Sequence, residues 1–133
     1  MFDHTSIRTS NMERSIDFYT KLMGLKLISR RQIPQNDAEI AFLKDPSSKG
    51  TTLELTSFRK QKKFRQEEYE DRLFDHLGFE IEDMKATIAK MRKEKIVITD
   101  KPYALGPSGP TIAFIEDPDG ILIELIERRK SDQ

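Results

Sequence analysis

Apolar positions along the chain follow two periods. Met12, Ile16, Tyr19 and Met23 recur at helical spacing, so their side chains form one stripe on a helix running to about 23. Ser10 and Glu13 match a capping box, in which a hydroxyl and a carboxylate satisfy the orphan N–H groups at a helix start. Gly24 stands where a left-handed C-terminal cap is wanted. Elsewhere the alternation is that of strands, at 4–9, 26–32, 39–44 and 51–57. The second half reads the same way, with strands at 76–81, 95–99, 111–116 and 121–127 and a helix at 83–93.

The halves also repeat in detail. Ile40, Ala41, Phe42, Leu43, Asp45 and Pro46 reappear as Ile112, Ala113, Phe114, Ile115, Asp117 and Pro118. One shift carries Asp3 and His4 onto Asp75 and His76, and Met12, Ile16 and Tyr19 onto Met84, Ile88 and Met91. A solenoid needs about three repeats to bury a continuous core, so two copies point instead to a pair of sheets. The expected fold is α+β: one domain over 1–133, built of two βαβββ modules at about 1–58 and 75–128. A linker at about 59–74 has a basic half (Arg59, Lys60, Lys62, Lys63, Arg65) and an acidic half (Glu67, Glu68, Glu70, Asp71). Such runs are usually solvated surface, although the basic half could line a pocket mouth and meet an anionic cofactor. Asp117, Pro118, Asp119 and Gly120 supply a tight turn.

Lys and Arg number 23 and Asp and Glu 23, so no net charge draws the chain toward nucleic acid or a membrane surface. Charged residues are 35% of the chain against about 25% in an average protein, which leaves a thin core and favours oligomerisation. Cysteine is absent, which excludes disulfides, thiolate metal sites and cysteine nucleophiles, so any metal is held by nitrogen and oxygen. No run of about 18 apolar residues occurs and no secretory leader pattern opens the chain, so a cytoplasmic protein is expected.

The only two histidines, His4 and His76, occupy equivalent positions at the start of each module. The last strand of each module carries a carboxylate in an apolar run: Glu54 between Leu53 and Leu55, and Glu124 between Ile123 and Leu125. Glutamate is depleted in strands, so a matched pair calls for a reason. Taken alone, Glu54 fits an exposed strand face, since Thr52 and Thr56 share its side. Glu124 has Leu122 and Ile126 on its own face, where a charge is costly unless paired, protonated or bound to a cation. Two imidazoles and two carboxylates suit divalent Zn, Ni, Co, Mn or Fe. Such an ion can polarise the two oxygens of an α-hydroxycarbonyl, and one carboxylate, Glu54 or Glu124, can then move the adjacent proton. Hydrolysis and oxygen chemistry are the rivals.

These residues resemble the vicinal oxygen chelate superfamily, and within it the bacterial-type glyoxalase I (lactoylglutathione lyase) group. The likeness rests on His4, on Arg14, Ser15, Ile16, Asp17, Phe18 and Tyr19, on Glu54, Leu55 and Thr56, on His76, and on the stretches 112–120 and 123–126. It implies that His4, Glu54, His76 and Glu124 bind a divalent metal, Ni or Zn first and Co, Mn or Fe otherwise, with Glu124 as the base. It also implies a homodimer in which His4 and Glu54 of one chain meet His76 and Glu124 of the other. The substrates implied are a 2-oxoaldehyde and a low-molecular-weight thiol, with methylglyoxal detoxification as the role. Arg8, on the face of His4, matches an arginine that contacts glutathione. Phe58 stands where the family usually has an asparagine contacting the same thiol, and a cation is missing from the loop at 103–110. The alternatives are another metal-dependent isomerase or epimerase of the superfamily, an Fe(II) dioxygenase, for which a fourth ligand is one too many, and a non-catalytic small-molecule binder.

Overall fold

A computed structural model describes residues 1–65 and 68–129; Glu67 of the acidic half of the linker therefore lies outside the described residues. The chain divides into two compact units, Met1–Gln66 and Glu67–Gln133, each carrying one four-stranded mixed sheet. In the first unit β1 (His4–Arg8), β2 (Lys26–Ile33), β3 (Ala38–Lys44) and β4 (Thr52–Phe58) are arranged in the order β1-β4-β3-β2. In the second, β5 (Leu77–Glu80), β6 (Ile98–Ala104), β7 (Thr111–Glu116) and β8 (Leu122–Glu127) repeat that order as β5-β8-β7-β6. The first and last strands of each unit run parallel and the other neighbours antiparallel. This is the expected α+β arrangement of two βαβββ repeats.

Period-two alternation separates the faces of each sheet. In β4, Leu53, Leu55 and Ser57 are buried, while Thr52, Glu54, Thr56 and Phe58 alternate with them on the other side and are half-exposed. Helix α1 (Met12–Asp17) covers the apolar side through Met12 and Ile16, followed by the buried Phe18 and Tyr19. Helix α2 (Met84–Lys93) does the same in the second unit with Met84, Ile88 and Met91 against β6 and β8. Arg30 ties β2 to β3 and α1 by pairing with Glu39 and Glu13 on the helix side.

Several details depart from the sequence reading. The first helix is α-helical only to Asp17 and widens into a π-helical turn over Phe18–Leu22, which ends at Gly24 with φ +79° as expected. Asn11 rather than Ser10 caps α1: it is extended (φ −147°, ψ 101°) and its Oδ1 accepts from Arg14 N at 3.0 Å. Ser10 Oγ instead accepts from the Arg14 guanidinium at 3.0 Å, and Glu13 is engaged by Arg30, so no reciprocal box forms. His76 precedes β5, which begins at Leu77. Strand β6 begins at Ile98 and not at Lys95, because Lys95 takes a left-handed conformation (φ 59°) and Ile96 N returns to Met91 O at 2.9 Å, closing α2. The turn at Asp117 is as read: Gly120 has φ +96° and its N–H donates to Asp117 O at 3.0 Å.

In the corresponding turn of the first unit, Asp45 accepts from the Ser47 hydroxyl at 2.6 Å and the Ser47 amide at 2.8 Å. Both bonds hold its carboxyl below its ordinary value. The turn is therefore strengthened at pH above the ordinary carboxylate range and loses that support as pH falls through the lowered pKa. Ser47→Ala should return the Asp45 titration, followed by carboxyl NMR, upward toward the ordinary range. For the helix start, Asn11→Ala should destabilise the protein by about 1 kcal/mol in urea unfolding, and Ser10→Ala by clearly less.

Candidate functional site

The face of each sheet away from its helix carries the chemistry. Parallel pairing sets Ser6 opposite Glu54 in the β1–β4 ladder, and Gly78 opposite Glu124 in the β5–β8 ladder. The histidine two residues before each of these positions points to the same face. As a result His4 Nε2 lies 3.8 Å from Glu54 Oε1, and His76 Nε2 lies 3.8 Å from Glu124 Oε1. Both distances exceed a hydrogen bond, so each imidazole and its carboxylate keep lone pairs unspent on one another.

Two supports recur with each pair. Asp3 Oδ2 holds His4 Nδ1 at 2.7 Å, and Asp75 Oδ1 holds His76 Nδ1 at 2.6 Å. A carboxylate accepts only, so Nδ1 carries the proton and donates, and in the neutral ring Nε2 is left as the basic nitrogen facing the glutamate. The Asp3 hydrogen bond, with the charges of Glu54 and Asp3, raises the His4 pKa against the opposing effect of burial. Phe42 and Phe114 meet the two imidazoles edge-on, each with ring centres 5.5 Å apart. Sequence reasoning left Asp3 and Asp75 without a role, although the repeat already matched them.

Beyond this shared set the units diverge. Arg8 stacks on Phe58 with its guanidinium carbon 4.2 Å from the ring centre, and Arg8 Nη1 donates to Gln61 Oε1 at 3.5 Å. The matching positions of the second unit hold Glu80 and Arg128, an ion pair at 3.8 Å. Thr56 Oγ1 donates to Glu54 Oε1 at 3.3 Å and lies 2.9 Å from Ser6 Oγ, whereas Gly78 and Ile126 stand at those places beside Glu124. Glu124 is no more enclosed than Glu54, at 20% side-chain exposure against 15%, despite its apolar neighbours. From the linker, Gln61 reaches Arg8, while Lys62 Nζ turns to Ser57 Oγ at 3.4 Å on the helix-facing side.

The structure thus brings His4 to Glu54 and His76 to Glu124. Among the described residues no set of three or more His, Asp or Glu side chains is gathered closely enough to hold a metal ion, and each unit brings together one histidine and one glutamate. The donor chemistry fits a divalent cation: an imidazole nitrogen oriented by a carboxylate on its far side, beside a carboxylate oxygen, is the usual supported ligand arrangement.

A fold of paired βαβββ units with a histidine and a carboxylate on the open face of each defines a class, and sequence comparison agrees. The family model of the Glyoxalase/Bleomycin resistance protein/Dioxygenase superfamily matches residues 1–125, and the chain belongs to that superfamily. It is 31% identical over 128 residues to a lactoylglutathione lyase of Escherichia coli O157:H7, covering 95% of this chain and 91% of that protein. A lactoylglutathione lyase of Neisseria meningitidis is 29% identical over 131 residues, covering 97% and 91%. Among solved structures, the trypanothione-dependent glyoxalase I of Leishmania major superposes with TM-score 0.77 at 32% identity, covering 97% of this chain and 87% of that one. A glyoxalase I mutant from Zea mays gives TM-score 0.80 at 28% identity, and this chain spans 44% of its length. No helix among the described residues is long and apolar enough to cross a membrane.

Proposed function

We propose that the protein is a metal-dependent isomerase of the glyoxalase I type, converting the hemithioacetal of methylglyoxal and a low-molecular-weight thiol into a 2-hydroxyacyl thioester. One observation carries the reading: the same Asp-supported histidine faces the same strand carboxylate on both units, at 3.8 Å each time. The names of the relatives, lactoylglutathione lyase and glyoxalase I, support the reaction type.

In this proposal His4, Glu54, His76 and Glu124 are the four donors. In a homodimer, His4 and Glu54 of one protomer complete the set with His76 and Glu124 of its partner. A divalent ion held there, Ni or Zn before Co, Mn or Fe, would supply Lewis-acid polarisation of the substrate. Asp3 and Asp75 keep Nδ1 protonated and Nε2 available as a ligand. Glu124 would take the proton from the carbon bearing sulfur and return it to the neighbouring carbon, while the hydroxyl proton passes from the first oxygen to the second, so atoms and charge balance within one isomerisation. Glu54 is the second carboxylate within reach of the same substrate atoms. Arg8 offers a planar cation on this face for an anionic group of the thiol, and Phe58 stacks against it.

Phe58 in place of the family's usual asparagine leaves the thiol open, and one relative is described as trypanothione-dependent. The assay therefore offers methylglyoxal with glutathione and with other cellular thiols to metal-free protein reloaded separately with Ni, Zn, Co and Mn. Thioester formation with at least one combination is expected, and Glu124→Gln should abolish it while metal remains bound. Metal uptake without turnover on any thiol would move the reading to an isomerase with a different substrate, and failure to take up metal would favour a binder. Arg8→Gln should raise KM about tenfold with little change in kcat, because a contact made equally in ground and transition states affects binding alone.

A further inference from the structure

The two histidine–glutamate pairs match in their aspartate and phenylalanine, yet among the described residues hydroxyl groups stand beside Glu54 and not at the matching positions beside Glu124. Glu54 Oε1, the oxygen that faces His4, accepts from Thr56 Oγ1 at 3.3 Å, and Ser6 Oγ lies 2.9 Å behind Thr56 Oγ1. The direction of this chain is determined by its end. An ionised carboxylate only accepts, Thr56 has one hydroxyl proton, and that proton is spent on Glu54, so Ser6 must donate to Thr56. In the second unit Gly78 and Ile126 take the places of Ser6 and Thr56, and neither side chain can donate. A β-carbon on Gly78 would meet Ile126 Cδ1 at 3.8 Å and Glu124 Oε1 at 3.9 Å. That corner is therefore open enough for a small side chain, and the hydroxyl is absent from it by residue choice rather than for want of room.

We infer that Thr56 and Ser6 are positioning residues, which hold Glu54 in its ligand orientation by a hydroxyl relay Ser6→Thr56→Glu54 that Glu124 lacks. The inference rests on the metal-binding reading of Glu54 given above. A carboxylate held by a hydrogen bond loses less rotational freedom when it binds a cation, and outer partners of this kind typically govern metal affinity by about 10- to 100-fold. The two glutamates are thereby distinguished: Glu54 is oriented before a cation arrives, whereas Glu124 has no side-chain hydroxyl on the matching positions to orient it. Ile126 at the site equivalent to Thr56 shows that an apolar β-branched side chain suits this position of the sheet.

The test measures Zn2+ affinity of the full chain by competition with a chelating dye, alongside the visible spectrum of the Co2+-loaded protein. Thr56→Val should weaken Zn2+ binding about tenfold and shift the Co2+ absorption, with the thermal midpoint changed little. Ser6→Ala should weaken binding in the same direction by a smaller factor. Thr56→Ser, which keeps the hydroxyl, should bind as the unsubstituted chain does. Equal affinity of Thr56→Val and the unsubstituted chain overturns the inference, as does a Thr56→Ser variant as weak as Thr56→Val, which would assign the loss to packing. Should Thr56→Val fail to fold, Ser6→Ala carries the decision, and unaltered affinity there overturns the relay. An unsubstituted chain that takes up neither ion defeats the metal reading itself, an outcome distinct from a metal-binding chain that ignores Thr56.

Discussion

In each unit the first strand pairs in parallel with the last, and the site follows from that one ladder. Parallel neighbours in register present their side chains on the same face, so Ser6 beside Glu54 places His4, two residues earlier, on the carboxylate's side. Gly78 beside Glu124 does the same for His76. A slip of one residue would turn the whole strand over, exposing Leu53 and Leu55 and burying Glu54 under the helix, so the burial of the core and the aim of His4 and Glu54 are enforced together. The parallel ladder in turn requires a crossover connection, and the helix and two antiparallel strands between β1 and β4 provide it.

The helix side and the open side divide the work. Buried Ile7, Leu53 and Leu55, with Met12, Ile16 and Tyr19 above them, give the sheet a rigid backing on which a histidine and a glutamate can be held without relying on loops. The Asp3 and Asp75 carboxylates add the second element of rigidity by setting which imidazole nitrogen faces the glutamate. Duplication has kept this frame and changed its surroundings. Arg8 on Phe58 answers Glu80 with Arg128, and the Ser6 and Thr56 hydroxyls answer Gly78 and Ile126. The two units therefore differ in what surrounds the histidine–glutamate pair, while the pair itself is the same in both.

Much of this was legible beforehand. The repeat of Ile40–Pro46 as Ile112–Pro118, in composition and spacing, announced two equal units, and helical spacing identified Met12, Ile16 and Tyr19 as core. The equivalence of His4 with His76 and of Glu54 with Glu124 could be read because each type is rare in its setting. What failed was local competition. Ser10 matched a capping box, but Asn11 next to it takes the cap by accepting from Arg14 N, while Arg30, from a distant strand, takes Glu13. Lys95 read as strand, yet the closing turn of α2 needed a left-handed residue there and no glycine was present to advertise it. The apolar neighbours of Glu124 marked a charge there as costly, but its exposure, 20% against 15% for Glu54, is set by the structure, since flanking apolar residues say nothing about how much solvent reaches a sheet face.

By itself the sequence determined the count of units, the alternation that assigns each strand residue to a face, and the chemical identity of the donors, because these depend on residue type and spacing alone. Tertiary structure decided which donors meet and how they are supported: the 3.8 Å approach of each histidine to its glutamate, the aspartate on Nδ1, the direction of the hydroxyl relay and the stacking of Arg8 on Phe58. The physical reason is range. Periodicity and capping act over a few residues, whereas the approach of each histidine to its glutamate, the Ser6–Thr56 contact and the stacking of Arg8 on Phe58 join strands some fifty positions apart and exist only once the ladder between them has formed.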